Sequence, residues 1–156
     1  MQENILCIDL TTRTSRVERD PELFARFLGG TALGTELLWK YVPPETDPLG
    51  EESALIFVTG PFSSLFPVAT KTVALFKSPL NGELGETHAG GRLAMALRDA
   101  NIDALVITGK SPSPTVLSIE NHRVTFASAR TVWGQSSSAS ERILREYAAP
   151  DGRKGS

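Results

Sequence analysis

The stretch Glu86-Thr87-His88-Ala89-Gly90-Gly91-Arg92 holds the densest group of residues in this chain that could carry chemistry. Two glycines opening a helix let a ligand approach the backbone closely, and the first N–H groups of a helix have no partner within it. Those groups and the helix dipole favour an anion such as phosphate, which the Arg92 guanidinium could grip at two points. A Gly-Gly pair serves equally as a tight turn with close packing, and residue types alone do not choose between the two. Lys71 is the second candidate, standing where a strand leaves a loop rich in glycine, proline and serine. Its ammonium could reach a ligand above the sheet, although a solvated lysine on an edge strand is the simpler reading. His88 could act as a ligand or an acid–base group, yet it has no partners at metal-ligand spacing. His122 falls on a turn and is given no role.

Other chemistries are excluded by what the sequence lacks. There is no Gly-x-Ser-x-Gly elbow, no Gly-x-x-x-x-Gly-Lys phosphate loop and no Gly-x-Gly-x-x-Gly fingerprint. A single cysteine, Cys7, rules out an intramolecular disulfide or a four-cysteine zinc or iron–sulfur site. Cys7 lies in the apolar run Ile5 to Ile8 and reads as a small buried hydrophobe. Basic residues (16) are outnumbered by acidic ones (18) and form no stripe, so no nucleic-acid footprint is expected. No apolar run approaches the roughly 20 residues of a membrane helix. The opening MQENILCIDL lacks the charged start and apolar stretch of a signal peptide, so a soluble, cytoplasmic protein is the expectation.

The elements that would position these residues alternate irregularly. Asn4 to Leu10 reads as a strand, Thr11-Thr12-Arg13 as a turn, and Ser15 to Glu18 as a strand pairing back. Asp20-Pro21 starts a helix with Leu23, Phe24, Phe27 and Leu28 on one face, stopped by Gly29-Gly30. A second helix runs from Thr31 to Pro43-Pro44, with Leu33, Leu37, Leu38 and Tyr41 inward. Strands are expected at 54–58 and 71–76, on either side of the loop 59–70. The segment 81–89 carries turn and flexibility signals, Asn81-Gly82 and Gly85, and no element is assigned to it. A helix begins at Gly90 or Gly91 with Leu93, Ala96, Leu97 and Ala100 inward and Asn101 as its C-terminal cap. A strand at 103–108 and a hairpin around Asn121-His122 follow. The last helix starts at the capping box Ser138-x-x-Glu141 and runs to Tyr147. These elements predict one α+β unit over 1–147, a mixed, largely antiparallel sheet with interspersed short helices, and a flexible tail at 148–156.

Read in order, the segments resemble the N-terminal domain of the tungsten-containing aldehyde:ferredoxin oxidoreductase family. The resemblance is carried by ILCIDLTTRTSRVE, Leu28-Gly29-Gly30, Asp47-Pro48-Leu49-Gly50, and Leu55-Ile56-Phe57 with Thr59-Gly60-Pro61. It continues through Lys77-Ser78-Pro79-Leu80, His88-Ala89-Gly90-Gly91, Asp103 to Ile107 with Gly109-Lys110, and Val132-Trp133-Gly134. No single piece is diagnostic; their order and spacing over residues 4 to 147 carry the likeness.

The resemblance implies part of a seat for a tungsten (or molybdenum) bis-pterin cofactor, whose phosphates are bridged by Mg2+. Lys71, His88, Ala89, Gly90, Gly91 and Arg92 match positions beside that cofactor, and no catalytic residue is implied in this chain. Lys71 replaces a usual arginine, keeping the charge but losing the planar fork. His88 stands where asparagine is frequent, and its imidazole is a softer ligand than magnesium prefers. Relative to the family the domain is expected to be incomplete. The [4Fe-4S] ligands and the substrate pocket belong to missing parts, so a C-terminal part or partner subunit would be needed, with ferredoxin accepting electrons. The implied chemistry is aldehyde oxidation to a carboxylic acid, with this chain inactive alone. The alternative is a stand-alone binding module that kept the fold without the cofactor.

Overall fold

A computed structural model describes residues 2–66 and 68–148. Its centre is a six-stranded sheet in the order β2-β1-β6-β3-β4-β5. Strand β1 (Asn4–Asp9) pairs antiparallel with β2 (Thr14–Arg19) on one side and parallel with β6 (Ala104–Thr108) on the other. Antiparallel pairs then join β6 to β3 (Ala54–Thr59), β3 to β4 (Thr72–Lys77), and β4 to β5 (Leu84–Ala89). One parallel pair among antiparallel ones makes the sheet mixed, as the irregular alternation of elements predicts. A separate antiparallel hairpin, β7 (Thr115–Glu120) and β8 (Arg123–Ser128), turns at Asn121 and His122, both at positive φ.

The strands alternate their side chains between two cores. Ile5, Cys7, Ile56, Val58, Val73, Leu75, Ala104 and Val106 face helices α1 (Pro21–Phe27) and α2 (Gly30–Tyr41). Leu6, Ile8 and Leu105 face the other way, against Leu97 of α3 (Leu93–Asp99), Ile102 and the apolar side of the β7–β8 hairpin. Burial from both sides explains why β1 is an unbroken apolar run rather than an alternating one. Helix α1 is capped by the Asp20 carboxylate, which accepts from the Leu23 N–H at 3.0 Å, and proline holds its first position. At its end Leu28, not glycine, is the first residue at positive φ (61°), and its side chain points to solvent rather than joining the inward face.

Three further expectations shift. The segment around Gly85 is a full strand, β5, because its pairing comes from β4 and not from local propensity. Gly85 leaves room for the Phe76 ring, which a Cβ there would meet at 2.4 Å. Helix α3 begins at Leu93 instead of Gly90 or Gly91, so Ala94 and Leu97 are buried while Leu93 and Ala96 are exposed. Asn101 follows it at φ 58°, in the left-handed conformation that ends many helices. Helix α4 (Ser137–Ala148) is preceded by Ser136, whose hydroxyl accepts from the Ala139 N–H at 3.3 Å; Ser138 already lies inside the helix. Residues 149–156 of the expected tail lie outside the described residues. Among the described residues no helix is long and apolar enough to cross a membrane.

Candidate functional site

The strand register gathers the sequence candidates at one end of the sheet. Thr59 at the end of β3 lies opposite Thr72 at the start of β4, and Thr72 lies opposite Ala89 at the end of β5. Lys71 and Gly90 come next in that register, and Gly91 and Arg92 continue from it into α3. The structure therefore brings Lys71, Ala89, Gly90, Gly91 and Arg92 to the ends of two neighbouring strands, from 18 to 21 positions apart in sequence.

This end is open and cationic. A Cβ placed on Gly90 or Gly91 would meet no atom within 4 Å, and Gly91 has φ +101°, which side chains rarely tolerate. Gly91 is thus required by its conformation, while both glycines leave space above the backbone. Lys71 and Arg92 are exposed, and neither forms an ion pair with another described residue. Among the described residues no acceptor takes the N–H groups of Gly90, Gly91 or Arg92. Beside them the Thr72 hydroxyl is buried without a hydrogen-bond partner among the described residues. A hydroxyl left this way costs free energy until it is paired.

His88 takes another course. It pairs with Val73, and its side chain therefore stands on the α2 face, opposite to the one that bears Thr72 and Ala89. Its Nε2 meets Glu86 Oε1, and the same carboxylate oxygen accepts from the Thr31 hydroxyl at 3.0 Å. The His88 hydrogen bond, then that of Thr31, hold the Glu86 carboxyl below the usual carboxylate range. The His88 side chain is therefore paired along its own strand with Glu86, which in turn bridges to α2 through Thr31.

The loop's support comes from residues that sequence reading passed over. Arg98 of α3 pairs with Asp103, whose side chain is 2% exposed. The Asp103 carboxylate also accepts from the Gln2 N–H at 2.9 Å and the Asn4 N–H at 3.3 Å. One buried carboxylate thus ties α3, and with it the Gly90–Arg92 turn, to the start of β1 and β6. The only local sign of this is a charged residue beside an apolar strand.

A second polar cluster lies near the other edge strand. The Tyr41 hydroxyl donates to Glu18 Oε2 at 3.0 Å and stands 3.2 Å from Cys7 Sγ, so the thiol is left to donate. Burial pushes the Cys7 thiol up, against the lowering hydrogen bond of Tyr41, and the Glu18 charge adds to the rise. Burial pushes the Tyr41 phenol up as well, followed by Cys7 and Glu18. Both groups stay neutral, which fits a structural polar network rather than a nucleophile. Among the described residues no set of three or more His, Cys, Asp or Glu side chains is placed to hold a metal ion.

The described residues thus form a two-faced mixed sheet with glycine backbone and the exposed Lys71 and Arg92 at one end. The chain belongs to the aldehyde ferredoxin oxidoreductase N-terminal domain family, whose model matches residues 5–154. It is 35% identical over 144 residues to a tungsten-containing aldehyde ferredoxin oxidoreductase of Pyrococcus abyssi, covering 91% of this chain and 24% of that protein. It is 37% identical over 135 residues to the WOR-like subunit of an aliphatic sulfonate oxidoreductase of Pyrococcus furiosus, covering 83% and 21%. Among solved structures, the active-site complex BamBC of benzoyl coenzyme A reductase with 1,5-dienoyl-CoA superposes with a TM-score of 0.89 at 28% identity. That match covers 94% of this chain and 23% of the other. The chain therefore spans about a quarter of the length of the relatives it matches.

Proposed function

We propose that this chain is the part of a tungsten (or molybdenum) bis-pterin oxidoreductase that seats one phosphate-bearing portion of the cofactor. The observation that carries it is the pairing of an open Gly90-Gly91 backbone with Lys71 and Arg92 at one sheet end. The residues fit an anionic group. Backbone N–H groups of Gly90, Gly91 and Arg92 would donate to phosphate oxygens, Lys71 and Arg92 would neutralise them, and the unpartnered Thr72 hydroxyl would gain a partner. His88 would serve through its place in β5, since its side chain is taken by Glu86. When bound, the cofactor supplies the redox centre at which an aldehyde is oxidised to a carboxylic acid, with ferredoxin as acceptor.

The protein residues here bind and orient; acid–base groups for the substrate, a [4Fe-4S] cluster and further contacts belong to another part of such an enzyme. Alone, over its single 1–147 unit, the chain binds without turnover. Relatives named for aldehydes and for sulfonates leave the substrate class to those other parts.

Titrating a pterin monophosphate into the labelled chain tests this by amide NMR. The amides of Gly90, Gly91 and Arg92 are expected to move together, and Lys71→Ala with Arg92→Ala should weaken binding roughly tenfold or more. Shifts confined to other regions would contradict the seat.

A further inference from the structure

On the α3 face of the sheet, four residues stand level with one another across neighbouring strands. They are Asp103, just before β6, then Thr59 of β3, Thr72 of β4 and Ala89 of β5. The first three are polar and almost fully buried, at 2%, 0% and 2% exposure. Two of them have their partners. The Asp103 carboxylate takes Arg98 and the Gln2 and Asn4 N–H groups, and the Thr59 hydroxyl donates to the Asp103 carbonyl at 3.3 Å. The Thr72 hydroxyl has none among the described residues. Its neighbours in the row supply none either, since Thr59 is turned to Asp103 and Ala89 has no polar side chain. The other buried hydroxyl in this condition, Thr46, sits beside Lys77 at the opposite end of β4. Above Thr72 the backbone is unsatisfied too. From Ala89, about 5 Å away across the ladder, the chain climbs through Gly90, Gly91 and Arg92 onto the same face, where Ala94 and Leu97 of α3 are buried. Among the described residues the N–H groups of those three have no acceptor. Donors without acceptors thus lie on both sides of one turn.

We propose that Thr72 is the specificity-determining residue of the phosphate seat: its hydroxyl donates to one oxygen of a phosphate held at the turn and so sets phosphate apart from carboxylate. The inference rests on the seat reading and adds to it the means by which the ligand's class is chosen. A tetrahedral phosphate points its oxygens in three directions. One reaches inward to Thr72, while the others face the turn's N–H groups and the Lys71 and Arg92 cations outside. A carboxylate has two oxygens in one plane, and with both turned to the N–H groups and cations it leaves the buried hydroxyl unpaired. A site with a buried polar group rejects the ligand that leaves that group without a partner. The empty chain bears the unpaired hydroxyl as a cost, which a threonine serving the fold alone would not impose.

The test uses the full chain and two probes, a pterin monophosphate and a pterin carboxylate, with affinities read by titration calorimetry. The greater charge of phosphate favours it in every variant, so the readout is the change in the ratio of the two affinities. Thr72→Val, which keeps the shape, should lower phosphate affinity about tenfold and leave carboxylate affinity within about twofold. Thr72→Ala should do the same, so the result does not hang on how one variant folds. Thr72→Ser, which keeps the hydroxyl, should hold the wild-type ratio. The free Thr72→Val chain should melt no lower than wild type, because it sheds an unpaired hydroxyl. An unchanged ratio in Thr72→Val and Thr72→Ala would overturn the inference, and the seat would still stand if the Gly90, Gly91 and Arg92 amides shift with phosphate. Equal losses for both probes would overturn it as well, since they mark a general loosening of the site. A wild-type chain that binds neither probe would sink the seat and the inference together.

Discussion

Cys7, Tyr41 and Glu18 show how a reactive residue type can be silenced by its surroundings. The thiol is 5% exposed, and burial shifts it away from the thiolate form that reacts. Alkylation with iodoacetamide at neutral pH should label Cys7 only after unfolding in urea, read by intact mass; prompt labelling of the native chain would contradict its burial. Glu18 behaves in the opposite sense. Burial favours its neutral form, but hydrogen bonds from Arg16, Tyr41 and Lys40 outweigh this and hold it below its ordinary value of 4.5. A carboxyl with a depressed folded value adds stability above its unfolded value and loses it as pH falls through the folded one. Glu18→Gln should therefore lower Tm at pH 7 and leave it unchanged well below pH 4.5, measured by thermal melts across that range.

At the scale of elements, what the sequence reveals depends on whether the signal is local. Asp20-Pro21, Asn101 and Asn121-His122 mark their boundaries because capping and left-handed turns are decided within a few residues. Strand β5 is illegible for the same reason reversed: Gly85 reads as flexible, yet it exists to receive the Phe76 ring from the neighbouring strand. The site divides likewise. Lys71 and the two glycines are visible as types, whereas the contact of Glu86, the partner of His88, with Thr31 spans 55 positions. The Arg98–Asp103 pair that steadies α3 is equally hidden. Removing one partner of a buried ion pair leaves an uncompensated charge, so Asp103→Ala should cost about 3 kcal/mol in urea denaturation. Conservative Asp103→Asn, which keeps an acceptor for the Gln2 and Asn4 N–H groups, should cost less. Equal losses would show that the backbone contacts carry little.

Taken whole, the molecule presents the Gly90-Gly91 backbone with exposed Lys71 and Arg92 at one end of its sheet, and it matches about a quarter of each relative's length. Its exposed apolar side chains are consistent with this partial coverage. Phe62, Leu65, Phe66 and Val68 crowd the β3–β4 loop that leaves the same end of the sheet as Lys71. In the function proposed above, Lys71, Gly90, Gly91 and Arg92 help hold a metal-bearing pterin. The direct measurement is tungsten content, by mass spectrometry after anaerobic purification, of a chimera in which this chain replaces the matching quarter of the Pyrococcus abyssi relative. Near one tungsten per chain is expected, falling about tenfold in the Lys71→Ala, Arg92→Ala double variant while the fold is kept. Full tungsten in that variant, or none in a folded chimera whose parent is loaded, would contradict the account.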